Sequence, residues 1–293
     1  MNKEQLRDWI RELLQEQEAL PPQPAPVPEK PPADSQEAAT DVTGIDLRRL
    51  YLVDQPANAE RFTALKTRTP ARLGMGRAGP RYRTLTLLRF RADHAAAQDA
   101  VFSQVPEAFA EENGLIAVQT RCRDKEEYLT RPDLGRCFDA EAQAKLRAAI
   151  PGTPRVQLVI GDGLSSAAIL ENAMDCARAI GDGLKLRGIE LGKAIFVRYC
   201  RVGAGDAVGD AVGCELVCVL VGERPGLVTD KSMSAYLTYR PHTGVSESSR
   251  TVVSNIHAQG TPAVEAGAHI AELIGRILEK QVSGVGLYGE AEG

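Results

Sequence analysis

The sequence predicts an α/β protein: a Rossmann-like, mainly parallel sheet in the C-terminal part, preceded by a mostly helical N-terminal part and a flexible N-terminal tail. Three observations point there. Beyond residue 151, short apolar runs such as 156–160 alternate with helical periodicities, the rhythm of parallel strands covered on both faces. Residues 44–150 carry mainly helical spacings, and residues 21–43 are Pro, Ala, Glu and Gln with few large apolar side chains. That last composition extends rather than packs.

The tail begins with Leu6, Ile10, Leu13 and Leu14 on one helical face beside Trp9, an amphipathic helix over 1–20 that Pro21-Pro22 stops. Short helices are expected over 46–53 and 58–66. Two more should follow over 83–91 and 93–103, then one over 140–149 closed by Pro151-Gly152. In the C-terminal part, 151–293, strands are expected over 156–160, 195–202, 215–221, 233–239 and 251–256. Helices over 165–180 and 206–212 connect them. The last helix should start at Thr261-Pro262, an N-cap and first-turn pair. It should bury Val264, Ala268, Leu273, Ile274, Ile277 and Leu278 and end at Gly284.

Composition narrows the function. The 293 residues are 43% hydrophobic and 25% charged, with a net charge of -4, which argues against a dedicated nucleic-acid binder. No run reaches the roughly 18 apolar residues of a membrane span. The first residues lack the layout of a secretory signal, so the six cysteines read as reduced cytosolic thiols. Cys214 and Cys218 would share one face of a strand, and no second pair completes a metal set.

The familiar motifs are incomplete. Gly161-Asp162-Gly163-Leu164-Ser165-Ser166 follows a strand, yet Ser166 stands where a dinucleotide fold needs its third glycine. The turn still brings the Asp162 carboxylate to the carboxyl edge of the sheet, where open α/β folds bind ligands; Asp162 reads equally as a helix cap. Gly222-Glu223-Arg224-Pro225-Gly226 lacks the Gly-Lys-Ser/Thr end of a phosphate loop. His257 and His269 lack a third ligand, and no Gly-x-Ser-x-Gly elbow occurs. The sequence therefore shows no self-contained catalytic set and no metal site. Arg68, Arg72, Arg77, Arg81, Arg83, Arg89 and Arg91 form a basic stretch. It is a solvated surface, or one pairing with internal carboxylates, or a face complementary to an acidic partner or a phosphate.

Several strings resemble one family in order along the chain. They are Gly76-Arg-Ala-Gly-Pro80 with Ala92-Asp-His94, Tyr128-Leu-Thr-Arg-Pro-Asp133 with Gly135-Arg136, Asp162-Gly-Leu-Ser165 and Phe196-Val-Arg-Tyr199. Leu220-Val-Gly-Glu-Arg-Pro-Gly-Leu227, Ser254-Asn-Ile-His257 and Gly260-Thr-Pro262 continue the series. Together they are similar to the ethanolamine ammonia-lyase small subunit.

The resemblance implies a cytoplasmic enzyme that converts ethanolamine to acetaldehyde and ammonia by radical rearrangement with adenosylcobalamin, whose chemistry the protein orients. It implies a large TIM-barrel subunit that carries the catalytic residues, with the corrin at the interface. The positions matching the family's cobalamin contacts are Val202, Glu223 and Val252, at strand ends or before loops; relatives can have Cys at the third. Other readings are a non-catalytic α/β binding module and a stand-alone Rossmann enzyme.

The helix over 1–20 resembles the tails that dock enzymes on shell proteins of bacterial microcompartments; alternatively it packs on its own complex. Deleting residues 1–20 is expected to abolish co-localisation with the shell while sparing ammonia release. Unchanged localisation in fluorescence microscopy refutes the targeting role.

Overall fold

The computed structural model describes residues 41–47 and 49–288. The expected tail helix and nearly all of the linker lie outside the described residues. α1 (Ala59–Lys66) starts where the Asn58 side chain accepts the Arg61 N–H at 3.0 Å, satisfying one orphan donor of the first turn. Its last residue, Lys66, is buried and donates to the carbonyls of Leu50 and Leu73. The described part of 46–53 forms no helix. Leu52 instead donates its N–H to Gly74 at 2.8 Å, so this segment's backbone is satisfied by a neighbouring loop rather than by itself.

A small hairpin of β1 (Arg77–Ala78) and β2 (Arg81–Tyr82) leads into α2 (Thr84–Phe102). The two helices expected over 83–91 and 93–103 are thus one. Asp93 does not open a new helix, because its carboxylate is held by Arg72 at 2.6 Å and Arg89 at 2.9 Å. α3 (Ala108–Glu112), β3 (Ile116–Gln119), α4 (Lys125–Thr130) and α5 (Ala140–Ala149) follow. β3 was expected to be helical or irregular. Only four residues long, it exists because Ile116 to Gln119 pair in parallel with a strand about eighty residues later.

That strand belongs to the alternating half: β4 (Val156–Asp162), α6 (Ser166–Leu186), β5 (Ile195–Arg198), α7 (Ala204–Val212), β6 (Leu216–Gly222), β7 (Met233–Tyr239), β8 (Arg250–Ile256) and α8 (Ala263–Lys280). The sheet order is β3-β5-β4-β6-β7-β8. The first four strands run parallel; β7 and β8 are antiparallel additions. Every residue of β4 and β6 is buried, as a central strand between two helical layers must be.

Alternate residues feed two cores. Leu158, Ile160, Leu216, Leu220 and Leu237 pack under α6 and α8. Val159, Val197, Val217, Val219 and Val221 pack under α5 and α7. Cys214 and Cys218, expected on one face, serve opposite ones, because Cys214 precedes the strand. Burial pushes the Cys214 thiol up to about 12. In α8, Val264 and Ala268 are exposed, whereas Ala266, Gly267, Ile270 and Ala271 are buried with the expected leucines and isoleucines. Gln281, left-handed at φ 56°, ends that helix. Gly284 serves another purpose: a Cβ there would stand 2.0 Å from the Ser248 carbonyl oxygen.

β4 leads to β5 on one side and, through β5, to β6 on the other. The carboxyl ends of β4 and β6 therefore flank the reversal point where open α/β sheets offer ligand sites. Here glycine closes the crevice. Leu164 donates its N–H to the Gly222 carbonyl at 3.2 Å, and a Cβ on Gly222 would lie 2.0 Å from the Ser165 oxygen. The chain reaches partial exposure one residue later, at Glu223. Gly222→Ala is expected to cost on the order of 1–3 kcal/mol by overpacking, read as a lower urea midpoint. Gly226→Ala, with no atom within 4 Å of the new methyl, should leave the midpoint unchanged.

Candidate functional site

Glu223 leaves β6 with its N–H bonded to the Ser232 carbonyl at 2.9 Å. Its Oε1 accepts the Tyr236 hydroxyl at 2.9 Å, while Oε2 has no hydrogen-bond or ion-pair partner among the described residues. Burial, and then the carboxylate itself, push the Tyr236 phenol up, so it remains a donor. Tyr236 in turn lies opposite Val252 across the β7–β8 pair. Val252 is 48% exposed and sits inside β8 rather than at a strand end. Glu223, Tyr236 and Val252 thus form a row on the α7 side of the sheet. A cleft of about 530 Å³ opens beside Glu223, lined also by Leu227, Ser232, Ser254 and His257.

Val202 comes to the same side by a different route. It was expected to end a strand over 195–202, but β5 stops at Arg198 because Tyr199 turns left-handed at φ 56°. Cys200 then donates to the Asp162 carbonyl and Arg201 to the Gly135 carbonyl, each at 2.9 Å. The Arg201 guanidinium lies 4.2 Å over the Tyr128 ring and donates to the Tyr128 carbonyl at 2.8 Å. The Tyr128 hydroxyl closes the circuit on the Cys200 carbonyl at 3.1 Å. Residues 128–136 are therefore the buttress of the turn that carries Val202, which packs half-buried among the β5 and β6 valines.

One buried ion pair ties the two halves of this surface together. Arg250 of β8 donates through both terminal nitrogens to the two Asp206 oxygens of α7, each at 2.8 Å. It also reaches Thr238 at 3.1 Å and Glu247 at 2.8 Å. The side chains are 3% and 7% exposed. Hydrogen bonding to Asp206 raises the Arg250 pKa against its burial, so the guanidinium stays charged. Fully paired, it avoids the penalty of a lone interior charge.

Asp162, one candidate at the sheet edge, is consumed by structure. It is fully buried, accepts from the Val105 N–H at 3.1 Å and the Ser166 hydroxyl at 2.6 Å, and lies 3.5 Å from Arg198. Ser165, rather than Asp162, caps α6. Lys125, buried nearby, donates to the Gly163 carbonyl at 3.0 Å, and desolvation lowers its pKa.

Sequence reasoning missed Tyr236 and the Arg250–Asp206 pair. For Tyr236 a signal existed: Met233, Ala235 and Leu237 alternate with Ser234, Tyr236 and Thr238, so a polar face of β7 was legible. The ion pair joins residues 44 positions apart and left none.

The matching strings are now placed. Those from residue 128 onward build the Val202 turn, the Gly222 contact and the Glu223 cleft, while residues 76–80 and 92–94 fall in the hairpin and in α2. A family model described as "Ethanolamine ammonia-lyase light chain (EutC)" matches residues 59–288. The chain belongs to the ethanolamine ammonia-lyase light-chain family. An ethanolamine ammonia-lyase small subunit of Clostridioides difficile strain 630 is 56% identical over 254 residues, covering 87% of each chain. One from Listeria monocytogenes serovar 1/2a strain EGD-e is 49% identical over 292 residues, 98% of this chain and 100% of that one. Among the described residues of this family member, no helix is long and apolar enough to cross a membrane.

Arg250→Ala is expected to cost about 3–5 kcal/mol by stranding Asp206, measured by urea unfolding. The paired change Asp206→Leu with Arg250→Met should recover most of that loss. Equal losses in both would show that packing, not charge, holds α7 to β8.

Proposed function

We propose that this chain is the small subunit of an adenosylcobalamin-dependent ethanolamine ammonia-lyase, a carbon–nitrogen lyase. In this reading it holds the cofactor against a large TIM-barrel subunit that carries the catalytic residues. The reaction converts ethanolamine to acetaldehyde and ammonia. The observation that carries the reading is the Glu223–Tyr236–Val252 row: one carboxylate oxygen fixed, the other open, beside exposed aliphatic surface. Such a surface fits the edge of a corrin, which offers hydrocarbon and side-chain amides. Glu223 would accept an amide N–H through Oε2, while Val202 and Val252 would exclude water by van der Waals contact. Valine at 252 rules out a thiol role at that position. Radical generation by cobalt–carbon homolysis is the chemistry that bound adenosylcobalamin supplies. What this chain does is bind, orient and shield.

The same reading places the protein in the cytoplasm, inside a bacterial microcompartment, with residues 1–20 facing a shell protein. It supports no role for nucleic acid or membrane.

Ammonia release should require this chain, the large subunit and adenosylcobalamin together; release by this chain alone refutes the assignment. Glu223→Ala should weaken cobalamin binding to the complex by one to a few kcal/mol, read by absorbance titration. Tyr236→Phe should cost about 1 kcal/mol, and nothing further in the Glu223→Ala background. That non-additivity is the signature of one residue positioning the other.

A further inference from the structure

α2 is 19 residues long and buries only Thr86 and Ala100, whereas α8, with 18, buries eight. A helix holds its shape in a protein chiefly through an apolar face pressed on something else. Here the apolar residues point outward: Leu87, Leu88 and Phe90 are 37–47% exposed and Phe102 is 66% exposed. Tyr82 and Leu73 extend the surface beyond the helix.

Charge marks the same region. Residues 61–91 contain nine Arg or Lys and no Asp or Glu, in a chain whose net charge is -4. Arg72, Arg83 and Arg89 are spent on Asp93 and Asp54. Arg68, Arg77, Arg81 and Arg91 are exposed and make no ion pair with a described residue. Tyr82, Leu87, Leu88 and Phe90 lie within this basic stretch, and Phe102 lies beyond it near the exposed Asp99; exposed apolar side chains set among unspent cations fit a protein partner. Leucine and phenylalanine side chains between the arginines would gain nothing from a bare polyanion.

Its position connects it to the cofactor surface. Arg72 donates to the Leu227 carbonyl at 2.8 Å and lies 5.7 Å from the centre of the Phe90 ring. Leu227 and Val228 line the cleft beside Glu223, and they also line a second cleft, of about 690 Å³, with Arg68, Arg72 and Arg89. The two clefts share a wall.

We infer that the outward face of α2, with its unpaired arginines, is where the large subunit docks, through an apolar patch ringed by Asp and Glu. This rests on the two-subunit reading above and adds to it which surface meets the partner. The arginines steer and register the encounter; Leu88 and Phe102 supply the buried apolar contact.

The full-length chain, tagged and co-expressed with the large subunit, provides the test. Leu88→Asp with Phe102→Asp should weaken association at least tenfold, as roughly expected for charge placed in an apolar contact. Arg81→Glu with Arg91→Glu should weaken it similarly and abolish much of its salt dependence. Circular dichroism should show both variants folded, since all four side chains are exposed. Leu186→Asp, at a side chain 90% exposed on α6, should bind as wild type. Wild-type affinity in both face variants overturns the assignment while leaving the two-subunit reading intact. So does a wild-type chain that dimerises through this face, becoming monomeric in the variants with partner binding unchanged. A wild-type pair that fails to associate overturns both.

Discussion

The Arg250–Asp206 pair is the constraint on which the candidate surface depends. β8 is the outermost antiparallel strand, with much of its middle exposed, whereas α7 buries most of its nine residues against the sheet. A bidentate pair, nearly closed to water and completed by Thr238 and Glu247, locks one to the other. Its value is geometric. Two interior charges contribute little net stability when paired, but any arrangement that separates them is heavily penalised. Val202, at the turn into α7, and Val252, two residues beyond Arg250, therefore keep a fixed relation.

The second constraint is close backbone approach. Gly163 and Gly222 let the loops after β4 and β6 touch, closing the crevice that many α/β proteins leave for a nucleotide. What remains is a shallow surface: a carboxylate with one committed oxygen, a half-buried tyrosine and two valines. The titratable groups near the end of β4 are tied to structure, Asp162 to Val105 and Ser166, and Lys125 of α4 to Gly163. The cleft beside Glu223 adds Leu227, Ser232, Ser254 and His257 to this surface.

The basic stretch divides along the same line. Part of it is internal scaffolding, with Arg72 and Arg89 sharing Asp93. The rest faces outward beside unburied leucines and phenylalanines. Pairing with internal carboxylates holds for Arg72, Arg83 and Arg89, while Arg68, Arg77, Arg81 and Arg91 are exposed.

The sequence by itself determined the elements whose signals are local. β4 was legible because burial on both faces demands an unbroken apolar run, and β7 because it is long and bounded by charged and turn residues. α5 was legible because its helical spacing runs to a stop at Pro151-Gly152. The positions Val202, Glu223 and Val252 came from resemblance, not from periodicity. Tertiary structure decided the rest. β3 is a strand only because β5 offers it a ladder, and β5 ends at Arg198 because Tyr199 turns toward the 128–136 buttress. Glu223 meets Tyr236 because the β6–β7 register brings a hydroxyl 13 residues away to its carboxylate. Local pattern reports which side chains must leave water; it carries no record of which distant backbone or charge receives them, because that pairing is set only when the chain closes on itself.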